Sequence, residues 1–160
     1  MKEVRKILIV DDNTMDVELT ISTLAEKNLV NEVIVAEDGE EAIDYLKRQG
    51  KYAFYEKGNP AVILLDIKMP GMDGIEVLEN IRQDPNLNSI PVVMVTSSME
   101  ERDQARSSLL GVNSYVIKPN DIAQFIEVIK DVGQYWAVIK KPTLKACTQV
   151  HFNVLFMHPM

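Results

Sequence analysis

The stretch Ala61-Val62-Ile63-Leu64-Leu65-Asp66 decides the fold, because it is the most apolar run of the chain and ends abruptly at a carboxylate. A short run without polar alternation is typical of a strand that is covered on both faces. Such strands lie in the middle of parallel sheets, whose crossover helices pack on both sides. The stretch therefore predicts the central strand of an α/β domain, with Asp66 at its carboxyl end.

Four further apolar runs, two on each side of this stretch, predict the remaining strands. They cover residues 7–10, 33–36, 91–95 and 114–117. Segments with helical spacing follow each run; Asn13 or Thr14 can cap the first helix, and Asp38 with Glu41 forms a capping signal for the second. Residues 50–60 are expected to form a loop. Five strands alternating with five helices predict a parallel sheet with right-handed crossovers.

Composition excludes several classes of function. The chain has 160 residues, 46% of them hydrophobic and 26% charged, which fits one globular domain. Its 24 acidic and 17 basic side chains give a net charge of −7, which argues against binding to nucleic acid or an anionic membrane. Without a long apolar run or a secretory signal at the start, we expect a cytoplasmic protein.

The cysteine and histidine content narrows the chemistry further. Cys147 is the sole cysteine, which excludes an internal disulfide and a four-thiolate zinc site. The two histidines, His151 and His158, lie in the last ten residues, so a histidine-based catalytic centre in the body of the domain is excluded.

Polar side chains follow four of the five predicted strands, at the edge of the sheet where α/β proteins bind ligands. They are Asp11, Asp12, Asp66, Thr96 and Lys118. Two carboxylates about 4 Å apart repel by roughly 4 kcal/mol at an effective dielectric constant of 20, so a cation or bound protons must offset the charge. Oxygen ligands without nearby histidine or cysteine favour Mg²⁺, with Mn²⁺ as a substitute.

A carboxylate, a divalent ion, a hydroxyl and an ammonium are the parts that phosphoryl transfer to an aspartate requires. Asp66 is the best acceptor because it ends the central strand. The Pro70-Gly71 turn then leads the chain away and leaves the side chain accessible.

At these residues the sequence resembles the receiver domain of two-component response regulators, over about residues 4–135. The matching motifs are Asp11-Asp12, Asp66-x-x-Met69-Pro70-x-Met72-Asp73-Gly74, Thr96 and Tyr115-x-x-Lys118-Pro119. The resemblance implies a flavodoxin-like (βα)5 fold, a doubly wound parallel sheet with strand order 2-1-3-4-5.

The resemblance also implies a metal site around a phosphorylated residue. It makes Asp66 the phosphoacceptor and a metal ligand, Asp12 a direct metal ligand, and Asp11 a ligand that acts mainly through water. The backbone carbonyl of Lys68 completes the protein ligands.

Further roles carried over by resemblance concern phosphoryl binding and switching. Thr96 and Lys118 are expected to bind the phosphoryl oxygens, and Thr96 and Tyr115 to act as the switch. The Lys118–Pro119 peptide bond is expected to be cis. The polar segment 98–110 has few apolar anchors, so we expect it to reposition easily on phosphorylation.

A narrower resemblance connects the chain with the small single-domain regulators that partner bacterial and cyanobacterial phytochrome kinases. The features that carry it are the segment 38–46, the 50–60 loop, Asn113-Ser114-Tyr115 and Tyr135-Trp136. It implies a histidine kinase of the phytochrome type as the partner. We expect a receiver domain over residues 1–139. Residues 140–160 depart from the family pattern and are expected to form a tail without a domain of its own.

Several interpretations stay open at this point. Apolar residues 135–139 either pack locally or contribute to a homodimer through the helix 4–strand 5–helix 5 face. A phosphorelay intermediate is an alternative to a terminal regulator. An aspartyl-phosphate hydrolase of the haloacid dehalogenase type is a rival, although it requires an aspartate where this chain has Lys68.

Overall fold

The computed structural model describes residues 6–26, 32–55, 58–97, 99–100, 111–112 and 114–138, with the backbone alone for 135–138. The strands are β1 (Lys6–Val10), β2 (Glu32–Ala36), β3 (Val62–Asp66), β4 (Val92–Thr96) and β5 (Ser114–Ile117). The helices are α1 (Thr14–Glu26), α2 (Gly39–Lys47), α3 (Gly74–Gln83) and α4 (Ile122–Val138), with one 3₁₀ turn at Gly50–Tyr52. The five predicted strands are therefore present, each within one residue of its expected ends.

The five strands form one parallel sheet in the order β2-β1-β3-β4-β5. This confirms the expected flavodoxin-like order 2-1-3-4-5 and places β3 in the middle. Every residue of β3 is buried, as the uninterrupted apolar run predicted. The order changes direction between β1 and β3, so the carboxyl ends of these two strands flank the crevice where α/β sheets bind ligands.

Two apolar cores lie on opposite faces of the sheet, because successive side chains of a strand alternate between faces. On one face, Ile63 and Leu65 of β3 belong to a cluster with residues of α2 and α3. On the other face, Leu64 belongs to a cluster with residues of α1 and α4. The central strand therefore needs apolar residues at every position, which is the pattern seen in its sequence.

Side chains next to the strand ends cap the helices. The Asn13 side chain accepts a hydrogen bond from the Asp16 backbone N–H at 3.1 Å, which identifies Asn13 as the cap of α1. Asp38 caps α2 by accepting from Glu41 N–H at 2.8 Å, as predicted. The Glu41 carboxylate accepts from Glu37 N–H, one residue before the cap.

The segment predicted as a loop at 50–60 contains more structure than its composition indicated. A 3₁₀ turn at Gly50–Tyr52 brings three tyrosine rings into edge-to-face contact, with ring centroids 5.0–6.3 Å apart. The rings belong to Tyr45, Tyr52 and Tyr55. Aromatic packing, which a count of turn-forming residues does not detect, orders the first half of this segment.

Some expectations fall outside the described residues. In the segment 98–110 only Met99 and Glu100 are described, and both are helical. The tail 140–160, with the cysteine and both histidines, and the side chains of Tyr135 and Trp136 also lie outside. None of the described helices is long and apolar enough to cross a membrane.

Candidate functional site

The polar residues at the strand ends are held in place by the last backbone hydrogen bonds of the sheet. Asp11 N–H donates to Ala36 O at 3.1 Å, and Lys118 N–H donates to Thr96 O at 2.6 Å. Asp66 is the last residue of β3 and Thr96 the last of β4. The sheet therefore brings the predicted residues to one edge.

Three carboxylates gather at this edge. One oxygen from each of Asp11, Asp12 and Asp66 can be chosen so that all three lie within 4.8 Å of one another. Asp11 and Asp66 are buried, with 1% and 7% of their surface exposed, whereas Asp12 is exposed. An all-oxygen group of this size, open on one side, fits a hard divalent cation that keeps some of its water.

The Lys118 ammonium lies among the carboxylates, but it is not closest to the predicted acceptor. Its Nζ atom is 2.9 Å from Asp16 Oδ2, 3.2 Å from Asp11 Oδ2 and 3.8 Å from Asp66 Oδ2. Burial alone would lower the pKa of Lys118, but the neighbouring carboxylates outweigh burial and raise the pKa. The lysine is therefore a fixed positive charge at neutral pH.

The electrostatics of Asp66 set it apart from an ordinary surface carboxyl. Burial, together with the charges of Asp11 and Asp12, raises the pKa of Asp66 to about 7, although Lys118 acts in the opposite direction. Burial also raises the pKa of Asp11. Without a bound cation, Asp66 is consequently divided between its neutral and charged forms near neutral pH.

The path of the chain after Asp66 requires a glycine at position 74. A Cβ atom at Gly74 would lie 2.2 Å from the Asp66 carbonyl oxygen, and Gly74 N–H donates to Ile67 O at 2.7 Å. Any side chain at this position would push the first turn of α3 away from the end of β3. Asp73 then caps α3 in a reciprocal capping box with Glu76. The loop thereby returns directly to the end of β3, and the Asp66 side chain, although buried, still lines a cavity.

A cavity of about 440 Å³ opens over the site. Charged side chains dominate its lining, and those that bear on the chemistry are Asp12, Asp16, Asp66, Lys68 and Lys118, together with the hydroxyl of Ser97. Thr96 is fully buried and does not line the described part of the cavity. Tyr115 is half-buried and packs against the core on the α2–α3 side of the sheet.

The sequence did not predict the roles of two residues near the site, Asp16 and Asn13. Asp16 lies in the first turn of α1, shortly after the predicted ligands Asp11 and Asp12, and this nearness in the chain could have identified it. Asn13 donates its N–H to Asp11 Oδ1 at 2.9 Å while its side chain caps α1. The sequence predicted Asn13 as a helix cap, but not as a hydrogen-bond donor to Asp11.

The expected cis peptide bond between Lys118 and Pro119 is wrong. All peptide bonds of the described residues are trans, this one included. The trans form of an X–Pro bond is favoured by roughly 0.5–1 kcal/mol. With the trans bond, the Lys118 N–H donates to the Thr96 carbonyl oxygen of β4, and the Lys118 ammonium donates to the Asp11 carboxylate. Neither contact therefore requires the cis form.

Comparisons with known proteins agree with this geometry. The family model described as "Response regulator receiver domain" matches residues 7–130. The response regulator Rcp1 of Synechocystis sp. is 35% identical over 130 residues, which cover 81% of this chain and 87% of that protein. The matches give no support to the dehalogenase or phosphorelay-carrier alternatives.

Solved structures of phytochrome response regulators are also similar. The bacteriophytochrome response regulator AtBRR is 51% identical, with a TM-score of 0.70 over 82% of this chain and 94% of that one. The phosphorylated cyanobacterial phytochrome response regulator RcpA is 38% identical, with a TM-score of 0.76 over 84% and 94%.

A structure of Rcp1 bound to Mn²⁺ is 34% identical, with a TM-score of 0.76 over 83% of this chain and 94% of that one. Together with the carboxylate cluster, it indicates a divalent-metal site of the receiver type. The fold, the cluster and the matches agree, and the chain belongs to the response regulator receiver domain family, the signalling proteins of two-component systems.

Proposed function

We propose that the protein accepts a phosphoryl group on Asp66 and signals as a stand-alone response regulator. The observation that carries the proposal is the position of the Asp66 carboxylate. It ends the central strand at a cavity, within 4.8 Å of an oxygen of Asp11 and Asp12 and 3.8 Å from the Lys118 ammonium. Its raised pKa supports the proposal, because perturbed carboxyls cluster at functional sites.

Asp11, Asp12 and Asp66 would hold Mg²⁺, with Mn²⁺ as a substitute and with Asp11 acting mainly through water. The backbone carbonyl of Lys68 would complete the protein ligands. These donors are hard oxygens, which Mg²⁺ prefers, and Mg²⁺ keeps several waters and needs few carboxylates. When bound, the ion supplies positive charge to the phosphoryl oxygens.

In the proposed reaction, a carboxylate oxygen of Asp66 attacks the phosphorus of a phosphohistidine. The P–N bond breaks, its electron pair stays on the imidazole nitrogen, and this nitrogen takes a proton from solvent. In dephosphorylation a water attacks the phosphorus, the P–O bond to Asp66 breaks, and the carboxylate is regenerated with release of inorganic phosphate. Both steps would be self-catalysed at this site.

Lys118 and Thr96 would bind the phosphoryl oxygens. The Lys118 ammonium already lies on the cavity, whereas the Thr96 hydroxyl would have to turn towards it from its buried position. Movement of Thr96 would free space near Tyr115, because Thr96 lies two residues after Met94 on the same face of β4 and Met94 is paired with Tyr115 of β5. We propose that these movements switch the face formed by residues 98–110, β5 and α4, which is also the candidate homodimer surface.

The phosphoryl donor would be a histidine kinase of the phytochrome type, as the names of RcpA and AtBRR suggest. A groove of about 360 Å³ next to the site is a suitable place for a donor helix. Its apolar rim includes Met15 and Ile122, which are 76% and 63% exposed.

The proposed organisation is a receiver unit over residues 1–139 with a tail over 140–160. A cytoplasmic location and the absence of nucleic-acid binding are part of the same proposal, and the net charge of −7 supports the latter.

The test is incubation with acetyl phosphate and Mg²⁺, followed by electrophoresis that separates phosphorylated protein. We expect wild type to be modified, the modification to be lost with a chelator, and Asp66→Asn to stay unmodified. Asp44→Asn is the matched control, because it removes a half-buried aspartate from α2, away from the site, and should behave as wild type. Modification of Asp66→Asn to the wild-type level would refute the proposal.

A further inference from the structure

The Lys118 ammonium makes its shortest contact with Asp16, a residue that is not among the proposed metal or phosphoryl ligands. The distance to Asp16 Oδ2 is 2.9 Å, whereas the distance to Asp66 Oδ2 is 3.8 Å, beyond hydrogen-bonding range. Asp16 is not a member of the cluster formed by Asp11, Asp12 and Asp66. In this state the Lys118 ammonium thus donates hydrogen bonds to Asp16 and Asp11, and not to Asp66.

Asp16 is held at this place by the start of α1. Its backbone N–H donates to the Asn13 side chain at 3.1 Å, and its carbonyl oxygen accepts the Thr20 hydroxyl at 2.7 Å. Asn13 in turn donates its own N–H to Asp11 at 2.9 Å. The position of the Asp16 carboxylate therefore follows that of a proposed metal-binding residue.

The ion pair is sheltered from solvent more than a surface pair. The Lys118 side chain is 14% exposed and that of Asp16 is 25% exposed. Both side chains line the same cavity as Asp66. Screening by water and salt is weaker at such a site than on an open surface.

We propose that Asp16 is a positioning residue that competes with the phosphoryl group for the Lys118 ammonium, and so sets how readily the regulator takes up its active state. The inference rests on the proposed phosphoacceptor function of Asp66. A phosphoryl group on Asp66 brings close to two negative charges into the cavity. A contact of Lys118 with the phosphoryl group weakens its ion pair with Asp16, and the Asp16 carboxylate also repels the new charge. Both effects act in the same direction, against the phosphorylated state.

A purely structural role for Asp16 makes a different prediction. An acidic residue in the first turn of a helix stabilises the helix through its dipole. If this were its whole role, Asp16→Asn would lower the thermal stability and leave the affinity for a phosphoryl analogue unchanged.

The experiment is a titration with beryllofluoride, a phosphoryl mimic, at saturating Mg²⁺, with Kd read from amide NMR shifts. We expect Asp16→Asn to bind beryllofluoride about fivefold more tightly than wild type, the effect of losing one partly sheltered ion pair. Asp16→Glu keeps the charge and should stay within about twofold of wild type.

Glu18→Gln is the matched control, because it removes an exposed acid from the same helix. It should leave the affinity unchanged. A separate Mg²⁺ titration of each variant corrects for any loss of metal affinity. If Asp16→Asn does not fold, Asp16→Ser is measured in its place.

The outcomes separate the two proposals. Wild type that does not bind beryllofluoride would refute the phosphoacceptor function, and the inference with it. Wild type that binds, with Asp16→Asn equal to Glu18→Gln or weaker, would overturn the role of Asp16 alone. Tighter binding by Asp16→Asn but not by Glu18→Gln supports it.

Discussion

The middle of the sheet and its carboxyl edge differ in how the burial of side chains affects stability. Along β3, Ile63, Leu64 and Leu65 are buried among apolar side chains, and every contact favours the folded state. One residue further, Asp66 is almost as deeply buried, but its neighbours include the like charge of Asp11. The first region stabilises the fold, whereas the second contains electrostatic repulsion that a bound cation can offset.

Burial therefore has opposite consequences for apolar and for charged side chains in this sheet. Removing an apolar side chain from the middle of the sheet should destabilise the protein, while neutralising a carboxyl at the edge should stabilise it.

The largest effect is expected in the middle of the sheet. Leu64→Ala should lower the free energy of unfolding by about 3 kcal/mol, because it opens a cavity between β3 and the helices α1 and α4. Urea unfolding measures the change. Ile122→Ala, at a side chain that is 63% exposed, is the control and should change stability by less than about 0.5 kcal/mol. Equal losses in the two variants would contradict the assignment of the core.

The opposite sign is expected at the edge. In metal-free protein at pH 8, Asp66→Asn should raise the free energy of unfolding by on the order of 2 kcal/mol, because it removes a buried charge whose pKa is raised to about 7. Between pH 7 and about pH 4 the folded wild type binds a proton that the unfolded chain does not. Lowering the pH through this window therefore stabilises wild type and shrinks the advantage of Asp66→Asn.

Thermal unfolding at several pH values checks this prediction. Glu79→Gln removes one exposed negative charge from α3 and serves as the control for net charge. Mg²⁺ should also reduce the advantage of Asp66→Asn, since the ion compensates the same charge in wild type. A variant that is less stable than wild type at pH 8 would contradict the electrostatic description of the edge.

The smallest effect concerns the helix that follows Asp66. Asp73→Ala removes the capping bond to Glu76 N–H, which is 2.9 Å long, and should lower stability by about 1 kcal/mol. Asp73→Asn should retain most of the stability, because asparagine caps helices about as well as aspartate. Chemical unfolding of both variants gives the comparison. A loss in Asp73→Asn as large as that in Asp73→Ala would show that charge, and not capping, stabilises this helix start.

The parts of the molecule that sequence reasoning predicted are those set by local pattern. The apolar run before Asp66 predicted the central strand, and the position of ligand sites at strand ends predicted that Asp11, Asp66 and Lys118 share one edge of the sheet. The order of the strands was predicted from the family resemblance, because hydrophobic periodicity alone does not show which strands are neighbours in a sheet.

The parts that were not predicted depend on contacts between segments distant in the chain. The ion pair of Lys118 with Asp16 joins residues 102 positions apart, and the sequence offers no sign of which carboxylate the lysine prefers. The cis bond was expected from the family resemblance and from a tight turn at Lys118, but the trans bond already brings Lys118 to Thr96 and Asp11. The full burial of Thr96 follows from packing on both faces of β4, which its polar side chain does not suggest.

We propose that the carboxylate of Asp66, and no other, receives the phosphoryl group, and that the site needs a divalent cation. The most direct measurement is borohydride reduction of protein treated with acetyl phosphate and Mg²⁺, which converts a phosphorylated aspartate to homoserine, followed by peptide mass spectrometry. We expect homoserine at position 66 in the presence of Mg²⁺ and none when a chelator is added. Homoserine at position 11 or 12, or its absence from position 66 in the complete reaction, would contradict it.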